Sequence, residues 1–306
     1  MRVKNIIKKC VPKKTWEIVS ALRSELISGV IVLRCLFAYV FSPYKTILVC
    51  NMIQQTKKGE VLPNNWGDDL NVNFFREATG LKVLYYPNSK IARFLGLKNF
   101  VLIGSGLIAR PQKKTVIWGT GVSGHFQTVF FKAEKEINRP LKIATSPKKI
   151  LAVRGPLTRE WLINQGIKCP EIFGDPALLL PRFYEPKKLK RHFRIGVIPH
   201  FLTLNNFNDR IESFISKMTN AKLILVQGYK NWRDFIDEIC SCDFVVSESL
   251  HGLIVAAAYG VPATWIEFCE HVNGWDFKFR DFYASLENGT SLPPPLFNYD
   301  FRKYNI

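Results

Sequence analysis

Short apolar runs alternate with helical stretches along most of the chain, and this alternation limits the fold more than any other feature. Such a pattern is typical of α/β proteins with parallel sheets. In the first half, strands are predicted at Thr46–Cys50, Leu81–Tyr86, Phe100–Ile103, Thr115–Trp118, Ile150–Val153 and Glu171–Phe173. Helices are predicted at Asp68–Thr79 and Pro156–Gln165, each followed by a glycine that can end it.

The segment PRFYEPKKLKRHFR (residues 181–194) interrupts the alternation with two prolines and clustered positive charge, and it is predicted to be a linker. Strands are predicted after it at Ile195–Pro199, Lys222–Val226, Asp243–Ser247 and Ala263–Ile266, and helices at Asp209–Thr219, Asn231–Cys240 and His251–Tyr259. Two α/β units in 306 residues predict two Rossmann-like domains that face a cleft. We expect them at residues 46–185 and 194–285, with an N-terminal segment at 1–45 and a C-terminal tail at 286–306.

The chain is strongly basic, with 43 Lys and Arg against 25 Asp and Glu and a net charge of +18. Such a charge attracts anionic substrates, anionic lipids or nucleic acid. No nucleic-acid-binding signature accompanies it, so anionic substrates and an anionic membrane surface are favoured and nucleic acid is not expected. The seven cysteines lack CxxC spacing, which predicts inert thiols in a reducing cytosol and no metal site.

The run LISGVIVLRCLFAYVF (residues 26–41) follows a basic N-terminus and carries Arg34 near its centre. Three interpretations stay open: a first helix and strand packed on the core, an amphipathic anchor on an anionic membrane surface, or a transmembrane helix. No small-residue cleavage site follows the run, so no secretory signal is predicted. We expect a cytoplasmic protein, with a peripheral position at the inner face of the cytoplasmic membrane as the alternative.

A polar turn follows the predicted strand Asp243–Ser247 and leads into a helix rich in small residues. It consists of Ser249, Leu250, His251 and Gly252. A helix of small residues can lie close to a sheet and point its positive N-terminus into a cleft, where it suits an anion. His251 can donate to that anion or transfer a proton, although a His that only caps the helix is the alternative.

Arg154 follows the predicted strand Ile150–Val153 and offers a planar guanidinium for phosphate or carboxylate at the carboxyl edge of the sheet. Pairing with an acidic neighbour such as Asp175 is the alternative. A tight turn with two glycines, Gly104 and Gly106, follows another predicted strand and can allow close approach of a ligand to the backbone.

The turn before the predicted helix Asp68–Thr79 combines amide, glycine and carboxylate residues, namely Asn65, Gly67, Asp68 and Asp69. One carboxylate would suffice to cap the helix, so the second is available as a base that activates a hydroxyl or as a sugar contact. The GxGxxG match at Gly119–Gly124 lacks the following helix and acidic residue of a dinucleotide site, so no nicotinamide or flavin is expected.

Five segments in order resemble the polysaccharide pyruvyltransferase family, particularly its bacterial exopolysaccharide members. They are NNWGDDLN (64–71), GSG with VIWGTGV (104–122), ILAVRGPLTREWL (150–162), FGDPALLLP (173–181) and VVSESLHGLIVAAAYGVP (245–262). The resemblance implies a GT-B-like pair of domains, the first on the acceptor side and the second on the donor side. It also implies transfer of the enolpyruvyl group of phosphoenolpyruvate, a co-substrate rather than a cofactor, onto two hydroxyls of a free or lipid-linked sugar.

By the family pattern, His251 matches the proposed catalytic His and Arg154 matches a donor-binding Arg. Asp68 or Asp69 matches the acidic residue of the first turn, and Asp69 is predicted to be the base. Some members have an arginine where this chain has Ser249, so Arg154, His200 or a nearby lysine would have to bind the donor. The alternatives are a GT-B-type glycosyltransferase that uses a nucleotide-sugar and a non-catalytic scaffold in polysaccharide assembly.

Overall fold

The computed structural model describes residues 13–50, 54–55, 61–62, 65–108, 111–123, 142–143, 145–186, 192–268 and 276–286. Within them, helices alternate with strands that form two parallel sheets. The predicted α/β class is therefore confirmed.

The first sheet has five strands in the order β4-β1-β5-β6-β7, all parallel to their neighbours. Its strands are β1 (Thr46–Val49), β4 (Lys82–Tyr85), β5 (Asn99–Val101), β6 (Thr115–Trp118) and β7 (Lys149–Ala152), and a separate antiparallel pair is formed by β2 (Gln54–Gln55) and β3 (Val61–Leu62). Five of the six strands predicted in this half are therefore present. The sixth, Glu171–Phe173, is wrong as a strand, because only Phe173 bridges to Val153 at the edge of the sheet.

The second sheet has four parallel strands in the order β11-β10-β8-β9. They are β8 (Phe193–Ile198), β9 (Ala221–Leu223), β10 (Cys242–Ser247) and β11 (Ala263–Trp265). All four correspond to predicted strands. Residues 187–191 of the predicted linker lie outside the described residues, whereas its first two residues complete a 3-10 helix, Pro176–Arg182.

Nine α-helices lie in the described part of the chain. They are α1 (Lys13–Phe41), α2 (Trp66–Thr79), α3 (Lys90–Leu95), α4 (Pro156–Ile163), α5 (Phe201–Asn206), α6 (Asn208–Ser216), α7 (Trp232–Cys240), α8 (Leu250–Ala258) and α9 (Phe277–Tyr283). The glycine stop of α2 is confirmed, since Gly80 takes a left-handed conformation with φ of 64° and its N–H donates to the Arg76 carbonyl. The short helices α3, α5 and α9 were not predicted from the sequence.

The N-terminal apolar run belongs to one helix of 29 residues, α1. One of its faces packs on the first sheet through Ile31, Val32 and Cys35, which contact a core that includes Leu48 and Tyr86. Residues 21–41 are also long and apolar enough to cross a membrane, although only 22% of their most apolar window is buried. The helix therefore packs on the core on one side and leaves another side uncovered.

A single apolar core connects the two sheets around Trp66 at the start of α2. The Trp66 backbone N–H donates to the Val226 carbonyl (2.8 Å) and its Nε1 donates to the Trp232 carbonyl (2.9 Å). Its ring packs on Phe235 of α7 with 4.6 Å between ring centroids. The first turn of α2 is therefore fixed to the second half of the chain.

We expect Trp66→Phe to lower the free energy of unfolding by about 1–3 kcal/mol, because the buried hydrogen bond from the indole Nε1 to the Trp232 carbonyl is lost. Trp265→Phe is the matched control, since Nε1 of that buried indole has no hydrogen-bond partner among the described residues. Urea unfolding of both variants tests this. An equal loss for both would show that ring volume, and not the hydrogen bond, stabilises this junction.

Candidate active site

The turn that contains Ser249 connects β10 directly to α8. The Ser247 hydroxyl donates to the Ser249 carbonyl (2.8 Å) and accepts from the Ser249 N–H (3.1 Å), which fixes the turn. Leu250 is buried, and Gly252 lies so close to the sheet that a Cβ there would be 2.4 Å from Ser247 Oγ. Within the described residues no side chain caps α8, so its positive N-terminus can act on an anion.

His251, in the first turn of α8, packs directly on the start of α2. A Cβ at Gly67 would lie 2.0 Å from His251 Nδ1, so only a glycine fits at this contact. The His251 Nε2 atom is buried and has no hydrogen-bond partner among the described residues. Burial first, and then the charges of Arg154 and Lys278, lower the pKa of His251 to about 3. The ring is therefore neutral near pH 7.

The predicted acidic turn is present, and the structure separates the roles of its members. The Asn65 side chain caps α2 by accepting the Gly67 N–H at 3.1 Å. Asp68 is next to the turn after β5, since a Cβ at Gly104 would lie 3.3 Å from Asp68 Oδ1. Asp69 follows in the same helical turn and is half-buried. Asn65 therefore provides the side-chain cap of α2.

Arg154 lies at the carboxyl end of the first sheet, but its guanidinium is fully buried and already held by protein groups. Its Nε donates to Asp281 of α9 (3.0 Å), Nη1 donates to the Ser105 hydroxyl (3.0 Å), and Nη2 donates to the Val122 carbonyl. The acidic partner at hydrogen-bonding distance is thus Asp281, which the sequence analysis did not name. Arg154 provides a fixed positive charge within the site.

Asp281 joins α9 to the start of α4. Its two carboxylate oxygens accept the Thr158 N–H (2.8 Å) and the Thr158 hydroxyl (2.6 Å) in addition to Arg154. A carboxylate with several donors can stay charged when it is buried. This network brings α9 to the first sheet, although α9 follows the second sheet in the chain.

Lys278 lies one turn before Asp281 on α9 and is the clearest site residue that sequence analysis missed. Burial, followed by the charge of Arg154, lowers its pKa to about 7, while Glu248 and Glu267 act in the opposite direction. Arg154 and Lys278 both lower the pKa of His251. Nothing in the local sequence KFRDF marks Lys278, because only the fold brings it to the site.

Asp175 caps the 3-10 helix Pro176–Arg182 by accepting the Ala177 N–H at 3.0 Å. Burial raises its pKa to about 6, although the Ala177 and Gly104 N–H groups and the Arg154 charge all favour the anion. Arg154 therefore acts electrostatically on Asp175, Lys278 and His251 alike. These four side chains form the candidate site.

The glycine turn after β5 is tied to the segment after β6. The Gly106 N–H donates to the Thr120 hydroxyl (3.1 Å), which donates to the Gly104 carbonyl (2.9 Å). In the GxGxxG match, a Cβ at Gly121 would lie 2.5 Å from Arg154 Cζ. Gly121 therefore makes room for the guanidinium, and Gly124 lies outside the described residues.

His200 lies at the carboxyl end of β8 and begins α5, where its Nδ1 accepts the Leu202 N–H at 3.3 Å. The His200 backbone N–H donates to Glu248 Oε2 (3.0 Å), and the Phe268 N–H donates to Glu248 Oε1 (3.2 Å). Glu248 thus connects two backbone segments at the carboxyl edge of the second sheet. Its position next to Ser249 in the sequence was the one signal that could have predicted this role. Glu248, which accepts the His200 N–H, also raises the pKa of Lys278 electrostatically.

Residues 45–269, well over half of the chain, match the family described as polysaccharide pyruvyl transferase. The chain belongs to this family. The match includes His251, Arg154 and Asp175 and ends before α9, so Lys278 and Asp281 lie outside it.

This member of the polysaccharide pyruvyl transferase family is similar in sequence to two curated proteins. An uncharacterized protein of Acanthamoeba polyphaga mimivirus is 28% identical over 192 residues, which cover 61% of this chain and 59% of that protein. The succinoglycan biosynthesis protein ExoV of Rhizobium meliloti (strain 1021) is 29% identical over 150 residues, which cover 46% of this chain and 42% of that protein. The chain thus spans about half the length of the curated relatives it matches.

A double-mutant cycle tests the contact between Gly67 and His251. We expect Gly67→Ala to destabilise the protein by about 1–3 kcal/mol, because the added methyl overlaps the imidazole. In a His251→Ala background the same change should be neutral or slightly stabilising, since alanine is the better helix former. Urea unfolding of the four proteins gives the coupling. Equal effects of Gly67→Ala in both backgrounds would contradict the contact.

Proposed function

We propose that the protein transfers the enolpyruvyl group of phosphoenolpyruvate onto two hydroxyls of one sugar in a bacterial surface or exopolysaccharide repeat unit. The products would be a pyruvate ketal and phosphate. The family and the relative in succinoglycan biosynthesis support this proposal. The observation that carries it is the electrostatic effect of two cations, Arg154 and Lys278, on the buried His251, whose ring packs on the start of α2.

Phosphoenolpyruvate carries a phosphate and a carboxylate, and the site offers a matching pair of cations. Arg154 is rigid, because three protein partners hold its guanidinium. Lys278 has a pKa of about 7, so a bound dianion would favour its charged form. We assign Lys278 as the cation that replaces the arginine missing at Ser249. The uncapped start of α8 would add its dipole to phosphate binding.

The reaction requires two proton transfers that balance. The methylene carbon of phosphoenolpyruvate takes up a proton, which makes C2 electrophilic, and a sugar hydroxyl attacks C2 and loses its proton. The bond between C2 and the phosphate oxygen then breaks, phosphate leaves with the electron pair, and the second hydroxyl adds to C2. Of the two hydroxyl protons, one replaces the proton given to the methylene carbon and the other leaves with phosphate.

In the candidate site and the acidic turn together, four side chains are proposed to carry these protons. Asp175, with a pKa of about 6, is assigned as the proton donor to the methylene carbon. Asp68 or Asp69 is assigned as the base for the attacking hydroxyl, and the position of Asp68 at Gly104 favours it over Asp69. His251 is neutral in the free protein, and a phosphate dianion beside it would raise its pKa. It could then give the leaving phosphate its proton.

We also propose that the two sheets are the centres of two Rossmann-like domains in a GT-B-like arrangement, at residues 46–185 and 194–285. The first would bind the acceptor sugar through the α2 turn, and the second would bind the donor at α8. Contacts of α9 with both halves support a site between them.

We expect the purified protein to release phosphate from phosphoenolpyruvate when a lipid-linked repeat-unit oligosaccharide is present, and the oligosaccharide to gain the mass of pyruvate less water. His251→Ala should lower the rate by about 10²–10⁴-fold, because it removes a proton-transferring group. His192→Ala, at an exposed histidine, is the control and should leave the rate unchanged. Consumption of a nucleotide-sugar instead, or no turnover of either donor, would contradict the proposal.

The affinity for phosphoenolpyruvate should depend on pH. Because Lys278 is charged below a pKa of about 7 and neutral above it, affinity for phosphoenolpyruvate should fall as pH rises through 7, and binding near pH 7 should take up a proton. Calorimetric titrations in two buffers of different protonation enthalpy measure that uptake. Lys278→Arg should bind without this pH dependence and Lys278→Met should bind weakly, whereas the exposed-site control Lys168→Met should match the unmodified protein. Unchanged affinity in Lys278→Met would remove Lys278 from the donor site.

A further inference from the structure

Helix α1 has a second apolar face that nothing in the described chain covers. Seven large apolar side chains recur on it every three or four residues, and each is at least half exposed: Leu22, Leu26, Val30, Leu33, Phe37, Val40 and Phe41. We call these seven residues the α1 outer face. It lies opposite the face that packs on the first sheet through Val32 and Cys35. Contiguous apolar surfaces of this kind mark interaction sites.

The outer face continues into a groove of about 600 Å³ between α1 and the edge strand β4. Apolar side chains, including Leu33, Phe37 and Leu84, form most of its wall, and the charged residues that line it, Arg34 and Lys82, are both basic. Two exposed aromatic rings lie near it in the chain, Tyr44 after α1 and Phe94 on α3. The surface thus combines apolar area, aromatic rings and positive charge.

The charge around the outer face is mostly positive. Six exposed basic residues lie on α1, on α3 or between them: Arg23, Arg34, Lys45, Lys82, Lys90 and Arg93. Residues 21–50 and 81–98 contain one acidic residue, Glu25, which accepts the Lys90 N–H at 3.4 Å. A second copy of this chain would bring the same mostly positive surface opposite, with Glu25 as the one acidic residue of these segments. An anionic bilayer offers both an apolar interior and negative charge.

We propose that the α1 outer face docks on an anionic lipid bilayer, with the helix lying along the surface and Leu22, Leu26, Val30, Leu33, Phe37, Val40 and Phe41 inserted between the headgroups. A spanning helix would need lipid around its whole circumference, whereas one side of α1 packs on Leu48, Tyr86 and Ala92. The docking therefore uses the folded protein without unpacking α1. It does not depend on the reaction proposed above.

Vesicle flotation of the full chain tests this docking. The protein should float with vesicles of phosphatidylcholine mixed with phosphatidylglycerol, and much less with phosphatidylcholine alone. The variant Leu26→Gln/Leu33→Gln/Phe37→Gln, which leaves the net charge unchanged, should lose flotation. The control Ile163→Gln/Ile172→Gln/Phe207→Gln removes three exposed apolar side chains elsewhere and should float like the unmodified protein. Added salt should weaken binding, since part of the attraction is ionic.

Three results would overturn the proposal. The unmodified protein could fail to float with anionic vesicles, or the α1 variant could float as well as the control. Alternatively, sedimentation could show a dimer that the α1 variant dissociates, which would assign the outer face to a second copy of the chain. Thermal unfolding of each variant checks the fold, and equal midpoints are expected because the substituted side chains are exposed.

Discussion

The site depends on the way Trp66 joins the start of α2 to the second half of the chain. Two hydrogen bonds, to the carbonyls of Val226 and Trp232, and the packing on Phe235 fix the position and direction of that turn. Gly67 follows immediately and lies on the His251 ring. Because a side chain at Gly67 would displace the imidazole, the two halves can meet here only through a glycine. Packing thus holds the acidic turn against the histidine.

The buried pair of Arg154 and Asp281 determines the electrostatics of the same region. A guanidinium removed from water is stable only when it is paired and its donors are used, and Asp281, Ser105 and the Val122 carbonyl meet that need. Its charge, together with burial, keeps His251 neutral and lowers the pKa of Lys278. A dianion bound beside Arg154 and Lys278 would favour the charged form of Lys278. Such preorganised charge costs little reorganisation when a reaction transfers negative charge to a leaving group.

Much of the fold was predictable because its signals are local. The strand at Thr115–Trp118 and the end of α2 at Gly80 follow from apolar runs and from a glycine that adopts positive φ. The SLHG turn and the acidic turn were also recognised, since their residue types act within a few positions. The partner of Arg154 was not predictable, because Asp281 is 127 residues away and no pattern marks it. The role of Lys278 was not predictable for the same reason. The three interpretations of the apolar run in α1 could not be separated, since an apolar run does not specify which face of a helix packs on the protein.

We propose that phosphoenolpyruvate binds where α8, Arg154 and Lys278 meet, and a crystal structure with bound phosphoenolpyruvate would test this. We expect the phosphate at the start of α8, within hydrogen-bonding distance of Lys278. His251 Nε2, which is buried and has no hydrogen-bond partner among the described residues, should face the ligand. A ligand bound away from these residues, or one that contacts neither Lys278 nor His251, would contradict this donor site.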